Sequence, residues 1–549
     1  MGNKTGNRRK SYLHMLLILL LAVAMVAAGC SGSNKSGGNS GGSAPSGQSA
    51  GGGSGQGAGG QSGGQSGGGQ SGGGPQKGGE ITIAYGVDVS NFDPIKGSNG
   101  ADHALLWPVY ETLVKFTPDL QPVPGLAESW EFENDVTLVL HLRKGVTFHD
   151  GTPFNAEAVK FNIERTNGEG SLVSDLKSVQ SVEVVDDHTV KLHLVQPDAA
   201  IISALTDRGG MMVSPAAVEQ YGEDFPQHPT GAGPFKVAKH VHGEEIVYER
   251  FADYWNPDEV YLDRFTISII GEENSRINAL KSGKVHFVPG IQPQNVGTLE
   301  SQKDIELITG TSLLFRRMYI NTEMEPFTNK AVRLAVTHAI NREQLVQAIN
   351  FGYGEAAHQP FPKGYWAHDP DVVIEYNPEK AKQLLQEAGL SNVTFQVLRS
   401  PDPYDARLAD LMKAQLQEAG ITMEVEAMEP NAAVGAFFNK QSTALLGNWT
   451  GRVDPQLTIN SLYSRDSFYN IGQASTPNID RLIQEAAGTY DQNKRADMYG
   501  QILKEVMLDE GYAIPLFFPP VIGAYHKSVK GIEHNMLGKP LFAKLWLEQ

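Results

Sequence analysis

The chain runs to 549 residues with a formal net charge of −17 and a single cysteine. An acidic balance of this size argues against nucleic acid or anionic lipid as a partner, and one thiol excludes a disulfide framework or a zinc–thiolate centre within the chain. The length exceeds what one hydrophobic core sustains, so two or three domains are expected.

Lys4, Arg8, Arg9 and Lys10 precede an apolar run from Leu13 to Ala28, interrupted only by His14 and ending in Ala27-Ala28-Gly29. Basic, apolar and small segments in that order read as a secretory signal peptide over 1–29. The run falls short of the about 20 residues that cross a bilayer as a helix. Cys30 follows at once. Its setting resembles the lipid-attachment cysteine of bacterial lipoproteins, with Ala27 standing where that pattern usually has a larger aliphatic residue. A diacylglyceryl group supplies the two acyl chains that stable anchoring requires. Simple secretion with an unmodified Cys30 and a retained signal anchor are the alternatives. Residues 31–78 are nearly all Gly, Ser and Gln. They cannot bury apolar surface and are expected to form a disordered tether with a reach of roughly 40 Å. The Gly60-Gln61-Ser62-Gly63-Gly64 match to the G-x-S-x-G hydrolase pattern has no strand before it and no helix after it, so it is an accident of composition.

Order begins at the alternating strand 80–85, and a second alternating strand covers 137–142. Asn155 is the expected N-cap of a helix reaching Glu164. Hairpins are expected at 182–185 with 189–194 around Asp186-Asp187-His188, and at 235–239 with 246–249 around His242-Gly243. A strand at 265–270, a helix at 274–282 and a strand at 285–288 make a β-α-β unit. Strand 313–320, helices 330–339 and 378–388, strand 393–398, helix 405–419 and strand 422–427 repeat that logic. Such mixing indicates α/β lobes with helix-covered sheets.

Chemistry-bearing motifs are sparse. The carboxylates are scattered, and no phosphate loop, H-E-x-x-H or EF-hand loop occurs. His240-x-His242 is the one close histidine pair. It sits on an expected hairpin turn with no third ligand nearby in sequence, and reads as a solvated loop rather than a metal site. No nucleophile has assignable partners, so an enzyme is not expected and no cofactor is implied.

Leu126-Ala-Glu-Ser-Trp130, followed by Leu138-x-Leu140-x-Leu142-Arg-Lys-Gly145-Val-Thr-Phe-His149-Asp-Gly-Thr-Pro-Phe154-Asn-Ala-Glu-Ala-Val159, resembles the signature block of extracytoplasmic solute-binding proteins of the peptide/nickel/opine class, family 5. Gly231-Ala-Gly-Pro-Phe235, Phe251-x-x-Tyr-Trp255, Asn321-x-x-x-x-Pro326-Phe327 and Val332-Arg333-x-Ala335-x-x-x-Ala339-Ile340-Asn341-Arg342 follow in the family's order, with Ala232 in place of the family's Thr. The resemblance implies an α/β, two-lobed periplasmic-binding-protein-like fold with a hinge and an extra subdomain in lobe one. Lobe I is then expected at 79–311 plus 505–549, and lobe II at 312–504. The signature block itself reads as structural, with Leu138, Leu140 and Leu142 on a core face and Gly145, Asp150 and Gly151 in turns.

The binding candidates also come from the resemblance. In peptide-binding relatives a Trp-x-x-Asp segment supplies the carboxylate that meets the peptide's α-ammonium. Here Trp449 is kept, Arg452 stands at the acid's position, and Asp454 follows two residues later. Arg452 suits bidentate carboxylate capture. Asp454 either holds an amine, pairs with Arg452, or caps the helix after Pro455. Arg316 and Arg317 lie on one strand and face opposite ways, and glutathione-binding relatives carry an arginine near Arg316. Tyr365 and Trp366 either line the cleft or pack in the core. Asn99 and His103 complete the candidates. The expected role is that of a substrate-binding lipoprotein of an ABC importer, anchored outside the cytoplasm through Cys30 and acting as a monomer. It captures a short peptide or similar carboxylate-bearing solute and hands it to the permease. A peptide-sensing receptor or chaperone, a binder of a metal chelate or oligosaccharide, and an extracellular hydrolase are the rival readings.

Overall fold

The computed structural model describes residues 74–97 and 100–548. The leader, Cys30, most of the Gly/Ser/Gln-rich stretch and Asn99 lie outside the described residues. Among the described residues, no helix is long and apolar enough to cross a membrane.

Strand β1 (Glu80–Tyr85) buries Ile81, Ile83 and Ala84. A separate four-stranded antiparallel sheet follows: β2 (Ala127–Asn134), β3 (Thr137–Leu142), β4 (Val179–Asp186) and β5 (Thr189–Leu194), in the order β2-β3-β5-β4. Helix α1 (Ala156–Asn167) packs on it, started by Asn155, whose side chain accepts from the Ala158 amide at 3.0 Å. Leu138, Leu140, Leu142, Val190 and Leu192 share one core with Phe148 and Phe154. This is the extra subdomain.

The signature block fastens that subdomain to the turn at Gly231–Phe235. The Gly231 amide donates to His149 Nδ1 at 3.4 Å, which leaves Nε2–H to donate to the Gly233 carbonyl at 2.9 Å. Burial brings the His149 imidazole down to about 4, so it stays neutral and keeps this tautomer at neutral pH. The turn needs glycine because a Cβ on Gly231 would sit 2.2 Å from the Val109 carbonyl oxygen, and one on Gly233 would sit 2.5 Å from that of Pro108.

Strands β6 (Phe235–Val241), β7 (Glu245–Arg250), β8 (Arg264–Ile269), β9 (Phe287–Pro289) and β10 (Ile305–Thr311) then build the first lobe's main sheet around β1. The chain crosses to the second lobe between Thr311 and Leu314. There β11 (Leu314–Ile320), helix α2 (Lys330–Ala339), β12 (Glu355–Ala356), β13 (Val393–Arg399), helix α3 (Pro403–Glu418), β14 (Ile421–Ala427), helix α4 (Pro430–Phe438), β15 (Ala444–Thr450), helices α5 (Pro455–Tyr463) and α6 (Gln492–Lys504), and β16 (Ile514–Phe518) follow. The second sheet runs β12-β16-β11-β15-β13-β14. The last long strand, β17 (Pro520–His526), inserts between β10 and β9 of the first sheet, giving the order β10-β17-β9-β1-β8-β7-β6.

The return crossing therefore differs from expectation. Residues 505–518 stay with the second lobe, because β16 pairs with β11 and buries all five of its residues in that lobe's cores. The crossing lies at Pro519-Pro520, where consecutive residues without an amide N–H end the ladder. The segment 532–540 braces both crossings. Its Met536 carbonyl accepts from the Leu313 amide at 2.8 Å, His534 Nε2 meets the Thr311 carbonyl at 2.7 Å, and a Cβ on Gly538 would lie 2.9 Å from both Ser312 Cβ and Val521 Cγ2.

Candidate functional site

A cavity of about 860 Å³ opens between the two sheets, beside the crossings. Phe287, Ile308 and Ile522 come from the first sheet, and Arg316, Tyr319 and Asn448 from the second. The volume falls within the range of small-molecule sites.

One wall follows from strand register. Arg316 on β11 stands opposite Asn448 on β15, and Arg316 Nη1 donates to Asn448 Oδ1 at 2.9 Å. Arg316 Nη2 pairs with Asp405 in the first turn of α3. Burial pushes the Asp405 carboxyl up, and the Arg316 guanidinium opposes that. Asp402 caps the same helix, accepting from the Asp405 amide at 2.9 Å, and it lines the cavity with Tyr404. The next residue of β11 points away from this wall: the Arg317 guanidinium packs over the Tyr319 ring at 4.2 Å and does not line the cavity.

The same period-two rule turns Trp449 away from the cavity. It is 6% exposed and packs in the second lobe's core, with its ring edge-on to Tyr469 at 5.1 Å. Its neighbour Asn448 is the side chain that reaches the cavity. Asp454 is also displaced from the site. Both of its oxygens are held by Arg495, it caps α5 through the Gln456 amide at 2.8 Å, and it is 3% exposed. An Arg452–Asp454 pair is thus replaced by an Arg495–Asp454 pair, which leaves Asp454 with no capacity for an incoming amine. Tyr365 donates to the Val453 carbonyl at 2.7 Å in the same core, and the Arg495 guanidinium lies 5.3 Å over the Trp366 ring. Trp449, Asp454, Tyr365 and Trp366 form the support behind the cavity wall, and none lines it.

At the other end stand Glu533, His534 and Lys539. Burial brings the Lys539 ammonium down to about 8, with Asp207 opposing and Arg208 and Arg452 reinforcing the shift. His103 is the first-lobe partner of this cluster. Its Nε2 lies 2.6 Å from Asp207 Oδ1, and its Nδ1 lies 3.0 Å from the Gly100 carbonyl. Burial acts against the Asp207 charge, but His103, Lys539 and the Arg208 amide outweigh it and hold the carboxyl far below its usual range. Arg452 is exposed and does not line the cavity, yet its charge reaches Lys539 and the half-buried Asp175.

The sequence reading missed Lys539, His534, Asp402, Tyr404 and Asn448. Asp402-Pro403 carried a usable signal, an N-cap followed by proline at the first helical position. Lys539 carried none, because only the fold brings the C-terminal segment to the hinge.

The family described as bacterial extracellular solute-binding proteins, family 5 Middle, matches residues 121–470. The chain belongs to the family 5 bacterial extracellular solute-binding proteins. Among curated proteins it is similar to the glutathione-binding protein GsiB of Shigella dysenteriae serotype 1, at 28% identity over 470 residues, covering 82% of this chain and 91% of that protein. It is 29% identical to GsiB of Escherichia coli O1:K1 / APEC, with the same coverage. Among solved structures it is similar to HbpA2 from Haemophilus parasuis, with a TM-score of 0.79 and 25% identity over 86% of this chain and 100% of that one. It is also similar to the periplasmic binding protein DppA from Helicobacter pylori in complex with the peptide STSA, with a TM-score of 0.73 and 26% identity over 86% and 99%. This family 5 protein is thus a two-lobed, extracytoplasmic substrate-binding component of an ABC importer rather than an enzyme.

Proposed function

We propose that this binding protein captures a short peptide or peptide-like solute bearing more than one carboxylate, and that a lipid on Cys30 holds it at the membrane while it delivers that solute to the permease. The observation that carries the ligand reading is the charge pattern of the cavity. Two cationic side chains, Arg316 and Lys539, line it together with the acids Asp402, Asp405 and Glu533. A solute with carboxylates for the cations and an ammonium for the acids complements that pattern, whereas a neutral sugar brings no counter-charge to it. The curated relatives named as glutathione-binding proteins support the same choice, since glutathione carries two carboxylates and one ammonium. Arg452, beside Lys539, extends the cationic end toward solvent. Hinge closure over such a solute couples its binding to a shape the permease can read.

Lys539 gives the test. Its ammonium is charged below about pH 8 and neutral above it, so affinity for reduced glutathione or Ser-Thr-Ser-Ala, measured by calorimetry, is expected to fall as pH rises from 7 to 9. Lys539→Met should bind more weakly at pH 7 and show a shallower slope, the remainder coming from the solute's own α-ammonium, which titrates in the same range. A slope unchanged in Lys539→Met would remove Lys539 from the site. The anchor is tested separately. Cys30→Ser should move the protein from the membrane fraction to the soluble extracytoplasmic fraction, and retention of the variant in the membrane would rule out lipidation at Cys30.

A further inference from the structure

Outside the cleft, the fold completes a set of groups that the sequence left unfinished. His240 lies near the end of β6, the edge strand of the first lobe's main sheet, and His242 lies in the turn toward β7. The turn brings both rings to the same carboxylate. The missing third group comes from far away in sequence. The loop after β1 places Asp88 against both rings, with His240 Nε2 3.1 Å from each carboxylate oxygen and His242 Nδ1 3.0 Å from Oδ2. One donor atom from each of the three residues lies within 4.8 Å of the others.

We infer that Asp88, His240 and His242 form a binding site for a borderline divalent transition-metal ion of the Zn²⁺ class, unrelated to the solute cleft. Imidazole and carboxylate are the donors such ions take, and metal–ligand distances of about 2.0–2.2 Å in tetrahedral geometry put neighbouring donors about 3.3 Å apart. The spacings across Asp88 are close to that already, so an ion entering between the groups needs only small side-chain shifts. The carboxylate is fixed before any ion arrives. The Gly243 amide donates to Oδ2 at 2.8 Å and the Val89 amide to Oδ1 at 2.7 Å. The His240 ring is set by an edge-on contact with Phe92 at 5.3 Å. Such outer contacts orient metal ligands and raise affinity. The His242 side chain is 85% exposed, so water can take the fourth position. None of the three residues lines the cavity between the lobes, and the ion would join the β6–β7 turn to the loop after β1 as a structural clip.

The test uses the full chain purified without a histidine tag and stripped with chelator. Titration with Zn²⁺ at pH 7.5 is expected to give one ion per chain, and Co²⁺ should give the intense visible bands of a tetrahedral site. His242→Ala, at an exposed turn, and Asp88→Asn should each weaken Zn²⁺ binding by more than about tenfold and bleach the Co²⁺ bands. His141→Ala, an exposed histidine beside Glu131, should change neither. Binding that is unaffected by His242→Ala, or absent at millimolar Zn²⁺ in the wild-type chain, would overturn the site and leave the cluster as an ion-paired turn.

Discussion

Replacing Asp454 by Ala is expected to destabilise the second lobe by about 3–5 kcal/mol, the range seen when one partner of a buried ion pair is removed. The size follows from what is left behind. Arg495 is 5% exposed and bonds both oxygens of Asp454. Its remaining contacts are the Tyr499 hydroxyl at 2.8 and 3.1 Å and the face of Trp366. With Asp454 gone, a guanidinium stays in a dry core with no counter-charge, and α5 loses its N-cap as well. Urea unfolding should show a lower midpoint, and the pair Asp454→Leu with Arg495→Met should recover much of the loss, because two apolar residues leave no orphaned charge. Below its unfolding transition, Asp454→Ala should still bind solute with near wild-type affinity, since Asp454 does not line the cavity. A variant that folds normally but cannot bind would return Asp454 to the ligand site.

Arg316→Ala is expected to cost affinity as well as stability, because it removes one partner of the buried Arg316–Asp405 pair and the cation that meets the solute. Charge-assisted hydrogen bonds contribute about 1.5–3 kcal/mol, or roughly ten- to more than a hundredfold in affinity. The substitution also leaves Asp402 and Asp405 facing the cavity without their cation, which repels a carboxylate-bearing solute. Arg316→Lys keeps the charge but cannot hold Asn448 and Asp405 with one planar fork, so it should fall between wild type and Arg316→Ala. Wild-type calorimetry from Arg316→Ala with either glutathione or a short peptide would contradict the assignment.

The fold was legible where periodicity and caps agree. The strands 80–85 and 137–142, the Asn155 cap, both hairpins and the helix 330–339 occur within a few residues of their expected places. The expected elements left out β10, β15 and β17. These strands read poorly because Gly310, Gly447 and Gly523 interrupt them, and because their pairing is set by partners distant in the chain. The candidate site was less legible. Strand alternation turns only one of Arg316 and Arg317 toward the cleft, the resemblance to glutathione-binding relatives points to Arg316, and Arg316 lines the cavity. Trp449 and Asp454 were singled out by a family motif whose acid this chain has moved by two residues, and that move carries the carboxylate to a helix cap and to Arg495. Lys539 and Asp88 could not be found by spacing at all. Each becomes meaningful only when the fold closes a loop over a hundred or more residues, Lys539 onto Asp207 and Asp88 onto His240.

Selection of solutes by their carboxylates is the property on which the proposed function stands. Its most direct test is calorimetry of the wild-type protein at pH 7 with glutathione, Ser-Thr-Ser-Ala and a panel of di- to tetrapeptides, each as the free acid and as the carboxamide. One-to-one binding of at least one free acid is expected, with at least about tenfold weaker binding of its amide. Equal affinity for acid and amide, or no binding across the whole panel, would contradict it.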